Sequence, residues 1–565
     1  MTTNKISSII PVREWLLPVA GNLTLQMLFL GICRVAFMSV FTEFRNDNVT
    51  DILGIEFLSH WYFILLFLVM LVAMWRLYRQ PRFCTEDSVT TRQLIQSVVM
   101  TLFVAVMTIG GIRGGFDPEQ RPINNKDAKE YAPHPIHSAL VLNTPYSIIR
   151  TMGKSAFPHL EYYGEAEAES IYSPVHPAVP VNPSHPNVAI IILESFGSEY
   201  SAYLNGRPEE KGYMPFLDSL MREGLTFEST FSNGHSSIDG QASVHLSVPL
   251  MVISFFTSHA ALNEVRGVAT ELRDMGYHTA YFHGADNGSL GLDGFAKSVG
   301  YDNYYGRTEY NEDSRFGGDK DFDGMWAIWD EPFLQFYATK MTELKEPFIT
   351  TVFTASSHHP YHVPEQYAAV YPEEGTNPIH KCIRYTDMSL RKFFETASRQ
   401  PWYSNTIFVF TSDHTNIPDH KEFSTDMGLY SAPIFFYDPS GEMPRERRAG
   451  IAQQIDIMPT LLGYLGYNKP YVAFGIDLLN TPSEDTWAVT NNNGIYQFVK
   501  GDYVIHFDGT HTKAAYNYKK DWLLEHNLIS DPALRPTFQS MERTLKAIIQ
   551  SYMQRMTENN LIVRE

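Results

Sequence analysis

Cysteine is scarce in this chain. Cys33, Cys84 and Cys382 are the only three among 565 residues, too few for a disulfide framework and without the paired spacing of a thiolate metal site. Excess positive charge is missing too: 44 Lys and Arg stand against 63 Asp and Glu, a net charge of −19. That is the wrong sign for wrapping phosphate backbones and argues against nucleic acid as a partner. Internal repeats are absent. The aromatic share of 13% excludes an intrinsically disordered chain and calls for a large buried core. The length accommodates one large domain with something smaller attached.

Long apolar runs are confined to the first fifth of the sequence. Three stretches, Trp15 to Phe41, Ile55 to Trp75 and Leu94 to Ile109, approach the roughly 20 residues a bilayer span requires. The middle one carries no charge between Trp61 and Trp75. Arg34 and Asn22 interrupt the first, and the third is short, so an interfacial or packed helix is the alternative for each. Arg76, Arg79, Arg82 and Arg92 lie between the second and third stretches, whereas Glu43, Asp47, Asp51 and Glu56 follow the first. The positive-inside rule makes the Arg-rich loop cytoplasmic, which places everything beyond about Arg113 outside the membrane.

Residues 114–186 read as a linker, with a helix near His137 to Met152 and an end punctuated by Pro174, Pro177, Pro180, Pro183 and Pro186. That spacing favours extended chain. Beyond it the pattern turns α/β. Val188 to Leu193 runs into Glu194, His278 to Phe282 into His283 and Gly284, Ile349 to Phe353 into Ser356 to His358, and Ile407 to Phe410 into Asp413 and His414. Open α/β sheets bind ligands at the carboxyl ends of their strands, which is where these polar residues collect.

Each constellation has a bland reading. Glu194 suits a turn cap, and His358 and His359 suit a packed surface. The segment Ser232 to Gly240, SNGHSSIDG, is a hydroxyl-rich loop of ordinary composition. Taken together, Glu194, Asp413 and His414 offer the oxygen and nitrogen donors that suit Zn²⁺ or Mn²⁺. A hydroxyl in the Ser-rich loop would be a nucleophile if a metal lowered its pKa.

In order, ILESF (192–196), NGHSSIDG (233–240), YFHG (281–284), SSHHPY (356–361), SDH (412–414) and DIMPTLLGYLG (456–466) resemble the lipoteichoic acid synthase family. These are sulfatase-like phosphotransferases of the alkaline phosphatase superfamily. The resemblance runs over roughly residues 185–530, ending in IYQFVKGDYVIHFDG and AAYNYKKDWLLEHNL, which look like the family's small C-terminal strand subdomain.

The resemblance implies an α/β catalytic domain over 187–530, after a transmembrane region over 1–113 and the linker, with a C-terminal helix in 531–565. It implies one divalent metal, Mn²⁺ first and Zn²⁺ or Mg²⁺ otherwise, held by Glu194, Ser237, Asp413 and His414. Ser237 takes the nucleophile's place with Asp239 two positions on, His358 a catalytic place, and His283, Asp286, His358 and His359 substrate-binding places. The implied reaction moves a phosphoglycerol or phosphoethanolamine head group from a phospholipid to an envelope glycan or lipid, through a phospho-serine, at the outer face of the cell membrane. A phosphodiesterase or sulfatase-like hydrolase, or a non-catalytic envelope scaffold, remains the alternative. Three departures matter, the first being that the family typically has five membrane spans where this sequence shows three. Leu290 and Leu292 stand at or near the places where the family carries a Trp and an Arg for glycerol phosphate, and SSIDG lacks the Cys-x-Pro-x-Arg signature of sulfatases.

Overall fold

Strands β1 (Val175–His176), β2 (Asn187–Leu193), β3 (Leu225–Phe231), β4 (His278–His283), β5 (Asn303–Tyr305), β6 (Phe348–Phe353), β7 (Thr406–Ser412), β8 (Ile434–Tyr437), β9 (Glu446–Gln453) and β10 (Tyr471–Val472) precede a run of four, β11 (Trp487–Asn492), β12 (Ile495–Lys500), β13 (Tyr503–Phe507) and β14 (Thr512–Asn517). The computed structural model describes residues 91–113, 157–180, 184–371, 377–416 and 418–564.

The main sheet has eight strands in the order β5-β4-β6-β2-β7-β8-β3-β9, and all but β8 run parallel. Its central strands β6, β2 and β7 are buried at every position because both faces are covered. Alternation still sorts the side chains. Val188, Ile190, Ile192, Ile407 and Val409 enter one core, while Ala189, Ile191, Leu193, Phe408 and Phe410 enter the other. At roughly 1.5–3 kcal/mol for each large side chain buried, these strands anchor the domain.

Helices Asp330–Glu343 and Ile379–Ala397 cover the second face through Phe333, Phe336, Tyr337, Ile383, Leu390 and Phe393. The other face receives helix Ile457–Leu465 and the C-terminal helix Arg535–Thr557, the latter through Phe538, Leu545, Ile548, Ile549 and Tyr552. Strands β11 to β14 form a separate antiparallel meander, joined to β9 where the Gln453 side chain donates to the Trp487 carbonyl and accepts from Val489 N–H, both at 3.0 Å. The strand subdomain expected from the sequence is this meander.

The Pro-rich segment differs from a free tether. Val175 and His176 pair with Val472 and Tyr471, and Gln550 of the C-terminal helix accepts from the Tyr162 and Tyr163 N–H groups at 2.8 and 3.0 Å. Extended chain satisfies a strand pairing as readily as a linker, which is why the prolines did not separate the two.

The third apolar stretch lies in helix Thr91–Arg113, where Ile95, Val98, Val99, Leu102, Phe103, Val106 and Met107 are exposed. No helix among the described residues is long and apolar enough to cross a membrane. The first two stretches, and the helix expected near His137 to Met152, lie outside the described residues.

Candidate metal centre and nucleophile

β2 and β7 are neighbours in register, Leu193 opposite Ser412, so the residues that follow them emerge side by side. Backbone geometry then turns the two ends together. Ser195 adopts φ 60°, an uncommon left-handed conformation for a residue with a Cβ. Its N–H donates to Asp413 Oδ1 at 2.8 Å, Phe196 N–H to Ser412 Oγ at 2.9 Å, and Asp413 N–H to the Leu193 carbonyl at 3.1 Å.

Three ligand atoms converge at this seam. His414 Nε2 lies 3.3 Å from Asp413 Oδ2 and 3.9 Å from Glu194 Oε1, and the three residues form a group whose donor atoms lie within 4.8 Å of one another. Their chemistry fits a divalent cation. Asp413 is fully buried, its Oδ1 accepts from Ser195 and His414 N–H groups, and its Oδ2 has no hydrogen-bond partner. A buried carboxylate oxygen without a donor is costly unless something positive meets it. Burial, and then the charge of Asp413, push Glu194 up to about 8. Two buried carboxylates that repel each other are the arrangement a cation relieves.

The His414 tautomer is set by its neighbour. Nδ1 lies 2.7 Å from the Thr415 carbonyl, which can only accept, so Nδ1 carries the proton and Nε2 presents its lone pair to the group. Burial disfavours the imidazolium, yet the nearby Asp413 and Glu194 charges outweigh it and raise its pKa.

Helix Ser237–Leu246 approaches the seam from β3. Gly240 makes this possible, since a Cβ there would overlap the Asp413 carbonyl oxygen and lie 2.8 Å from its Cα. Ser237 is three residues earlier, on the same helix face. Asp239, the acid two positions after Ser237, is engaged by the neighbouring serine. Its Oδ2 accepts from Ser236 Oγ at 2.6 Å, with Ser236 at the N-cap, while its buried Oδ1 has no hydrogen-bond partner. Gly240→Ala tests the close approach. A helical Gly→Ala change elsewhere gains up to about 1 kcal/mol, whereas here overpacking should cost about 1–3 kcal/mol, read as a lower midpoint in urea denaturation together with lost turnover.

The remaining candidates lie on the loops after β4 and β6. Ser357 Oγ donates to the Glu194 carbonyl at 2.6 Å, which hangs the His358 loop from the metal-site seam. Asp330, buried, accepts from Ala355 and Ser356 N–H groups at 2.9 and 3.2 Å and fixes the same loop. Burial lowers the pKa of His358, against the pull of Asp413. His283 is brought down to about 4, again by burial, and its Nδ1 donates to the Phe353 carbonyl at 3.1 Å. Asp286 sits farther out, in an ion pair with Arg307 at 3.0 Å, and His359 is exposed. Leu292 is buried and Leu290 packs against the core, so neither offers a polar contact. Sequence reading gave no role to Ser195, Asp330, Ser357 or Gln454, the last of which donates from its side chain to the Ser412 and Asp413 carbonyls. Asp330, Ser357 and Gln454 bond backbone groups of the site, which leaves no residue-type signature, and Ser195 Oγ donates to Glu194 Oε1 at 2.6 Å.

The sequence profile of the Sulfatase family matches residues 186–467. Those residues are a sulfatase-family domain. The chain is similar to lipoteichoic acid synthase 1 of Bacillus subtilis, 25% identical over 61% of this chain and 53% of that protein. It spans about half the length of the curated relatives it matches. In fold it is similar to an alkaline phosphatase superfamily protein from Vibrio parahaemolyticus, with a TM-score of 0.58 at 22% identity over 68% of this chain and 91% of that one. A lipoteichoic acid synthase from Listeria monocytogenes gives a TM-score of 0.55 at 20% identity, over 71% and 99%. The resemblance read from the six motifs is therefore upheld, with the alkaline phosphatase and sulfatase type of α/β domain.

Proposed function

We propose that the chain is a membrane-anchored, metal-dependent phosphotransferase that moves a phospho-head group from a phospholipid to an envelope glycan or lipid acceptor. The observation that carries this reading is the convergence of Glu194, Asp413 and His414 beside a helix whose first residue is a serine. The resemblance to lipoteichoic acid synthases supports the choice of reaction, and the exposed apolar side chains of helix Thr91–Arg113 support contact with lipid. In this reading the catalytic domain is extracytoplasmic.

Glu194, Asp413 and His414, with the Ser237 hydroxyl, would hold the metal. Mn²⁺ is the first choice for this donor set and Zn²⁺ or Mg²⁺ the others. A divalent ion there lowers a hydroxyl's pKa and neutralises charge on phosphoryl oxygens. Ser237 Oγ attacks phosphorus, and as the new P–O bond forms and the bond to the diacylglycerol oxygen breaks, the serine proton passes by way of His358 Nε2 to that departing oxygen. His358 has Nδ1 bound to the His359 carbonyl at 3.0 Å, leaving Nε2 to exchange a proton with the departing oxygen. An acceptor hydroxyl then displaces Ser237 from the phospho-serine.

The test is incubation of the full chain with Mn²⁺ and phosphatidylglycerol or phosphatidylethanolamine, with mass spectrometry of the peptide containing Ser237. A mass increase equal to the phospho-head group, with release of diacylglycerol, is expected. Release of the head group with no serine adduct under rapid quench would favour the phosphodiesterase, and no reaction with either lipid would favour a scaffold.

A further inference from the structure

Trp326 belongs to none of the sequence motifs, yet it stands against the candidate centre. Its loop is shaped by Asp323, whose Oδ1 accepts from Met325, Trp326 and Ala327 N–H groups at 2.7, 2.6 and 3.2 Å. The loop is bound to the turn that carries His283. Ala327 bridges Ala285, and Ile328 N–H donates to the Gly284 carbonyl at 2.9 Å. Gly284 permits that approach, because a Cβ would lie 3.2 Å from the Ile328 carbonyl oxygen and 3.3 Å from the Phe333 ring.

The indole meets both histidines of the β6 loop. Its ring centroid is 4.4 Å from that of His358, tilted by 56°, and 5.4 Å from that of His359, edge on at 71°. Nε1–H donates to the His359 carbonyl at 2.6 Å. A tryptophan with a purely structural role is normally sunk among large side chains. Trp326 instead packs against a small cluster of alanines, Ala285, Ala327 and Ala355, and remains partly exposed. It is one ring away from His358, whose neighbour Ser357 holds the Glu194 carbonyl.

We propose that Trp326, with His358 and His359, forms the wall that receives the head group of the phosphodiester, making Trp326 a specificity-determining residue. This assignment rests on the phosphotransfer reading of the same site. The recognised chemistry is a short amino- or hydroxyalkyl group esterified to phosphate. An indole face packs against its methylenes and attracts an ammonium through the ring quadrupole.

The assignment is tested with chromogenic diesters that share one leaving group. The p-nitrophenyl diesters of phosphoethanolamine and phosphoglycerol carry a head group, and methyl p-nitrophenyl phosphate has almost none. Using the full chain with Mn²⁺, Trp326→Ala should lower kcat/KM by about tenfold or more for at least one of the first two, the equivalent of one lost aromatic contact. The methyl diester should change by less than about twofold, and Trp326→Phe should recover most of the loss because a ring face remains. The arm that loses more, ethanolamine or glycerol, identifies the head group. Equal losses on all three diesters would overturn the assignment by showing that Trp326 only positions His358, and so would unchanged rates on all three. If the unaltered chain cleaves none of them, the phosphotransfer reading falls and this assignment with it.

Discussion

Ser237→Ala should eliminate the covalent phospho-enzyme and lower turnover by about three orders of magnitude or more, the scale of losing an attacking hydroxyl. The variant should fold normally, since Ser237 is partly exposed and begins its helix without capping it. Ser236→Ala should behave in the opposite way. It removes the Oγ that donates to Asp239 Oδ2, a hydrogen bond to a carboxylate, so it should cost about 1–3 kcal/mol of stability and leave measurable turnover. Ser237→Thr should retain some activity, because Oγ is kept while the extra methyl crowds the turn before Gly240. The decisive readouts are rapid-quench labelling and thermal melting of the three variants side by side. If Ser237→Ala still accumulates a phosphorylated enzyme, the nucleophile is another group. If it turns over at the wild-type rate with no adduct, activated water is the nucleophile and the reaction is hydrolysis.

The contrast between these neighbouring serines shows where the sequence stopped being legible. The family pattern has an acid two positions after its nucleophile, a spacing that selects Ser237 over Ser236 and says nothing of what Asp239 bonds. Helical geometry brings residues i and i+3 together, so the structure gives Asp239 to Ser236. The central strands were legible for a simple reason: β2, β4, β6 and β7 each carry a short apolar run that leads into polar residues. The edge of the sheet was not. β9 begins Glu446-Arg447-Arg448, exposed or nearly so, and β3 carries Glu228 and Ser229 on an irregular stretch paired with β9. Such strands are specified by distant partners rather than by their own pattern. The candidate ligands Glu194, Asp413 and His414, which the fold brings together, stood out because acids and histidines directly after apolar strands are conspicuous. Trp326 was not, since a lone aromatic in an Asp- and Gly-rich loop carries no periodicity, and only the pairing of Ala327 with Ala285 brings it to the site.

Asp413→Asn should abolish tight metal binding while preserving the fold. Replacing Asp413 by alanine would confound two effects, because its Oδ1 also accepts from the Ser195 and His414 N–H groups at 2.8 and 2.7 Å, and leaving both donors unpaired in a buried site costs about 1–3 kcal/mol each. An asparagine keeps a carbonyl oxygen for those donors. It puts an amide in place of the unpartnered Oδ2 and removes the charge that a cation meets there. The amide substitution thus isolates the ligand function from the backbone function. Elemental analysis of the purified chain should find far less metal in Asp413→Asn than in wild type. The melting temperature gives an independent readout: at a free Mn²⁺ concentration about 100 times Kd, binding to the native state alone adds about 2.7 kcal/mol of stability. Wild type should therefore melt higher with Mn²⁺ than with chelator, and Asp413→Asn should melt alike in both. Without metal the variant should be at least as stable as wild type, because one of two repelling buried carboxylates has been neutralised. Equal metal content and equal Mn²⁺-dependent stabilisation in the two proteins would make Asp413 a structural residue and remove the basis for placing a metal at the seam between β2 and β7.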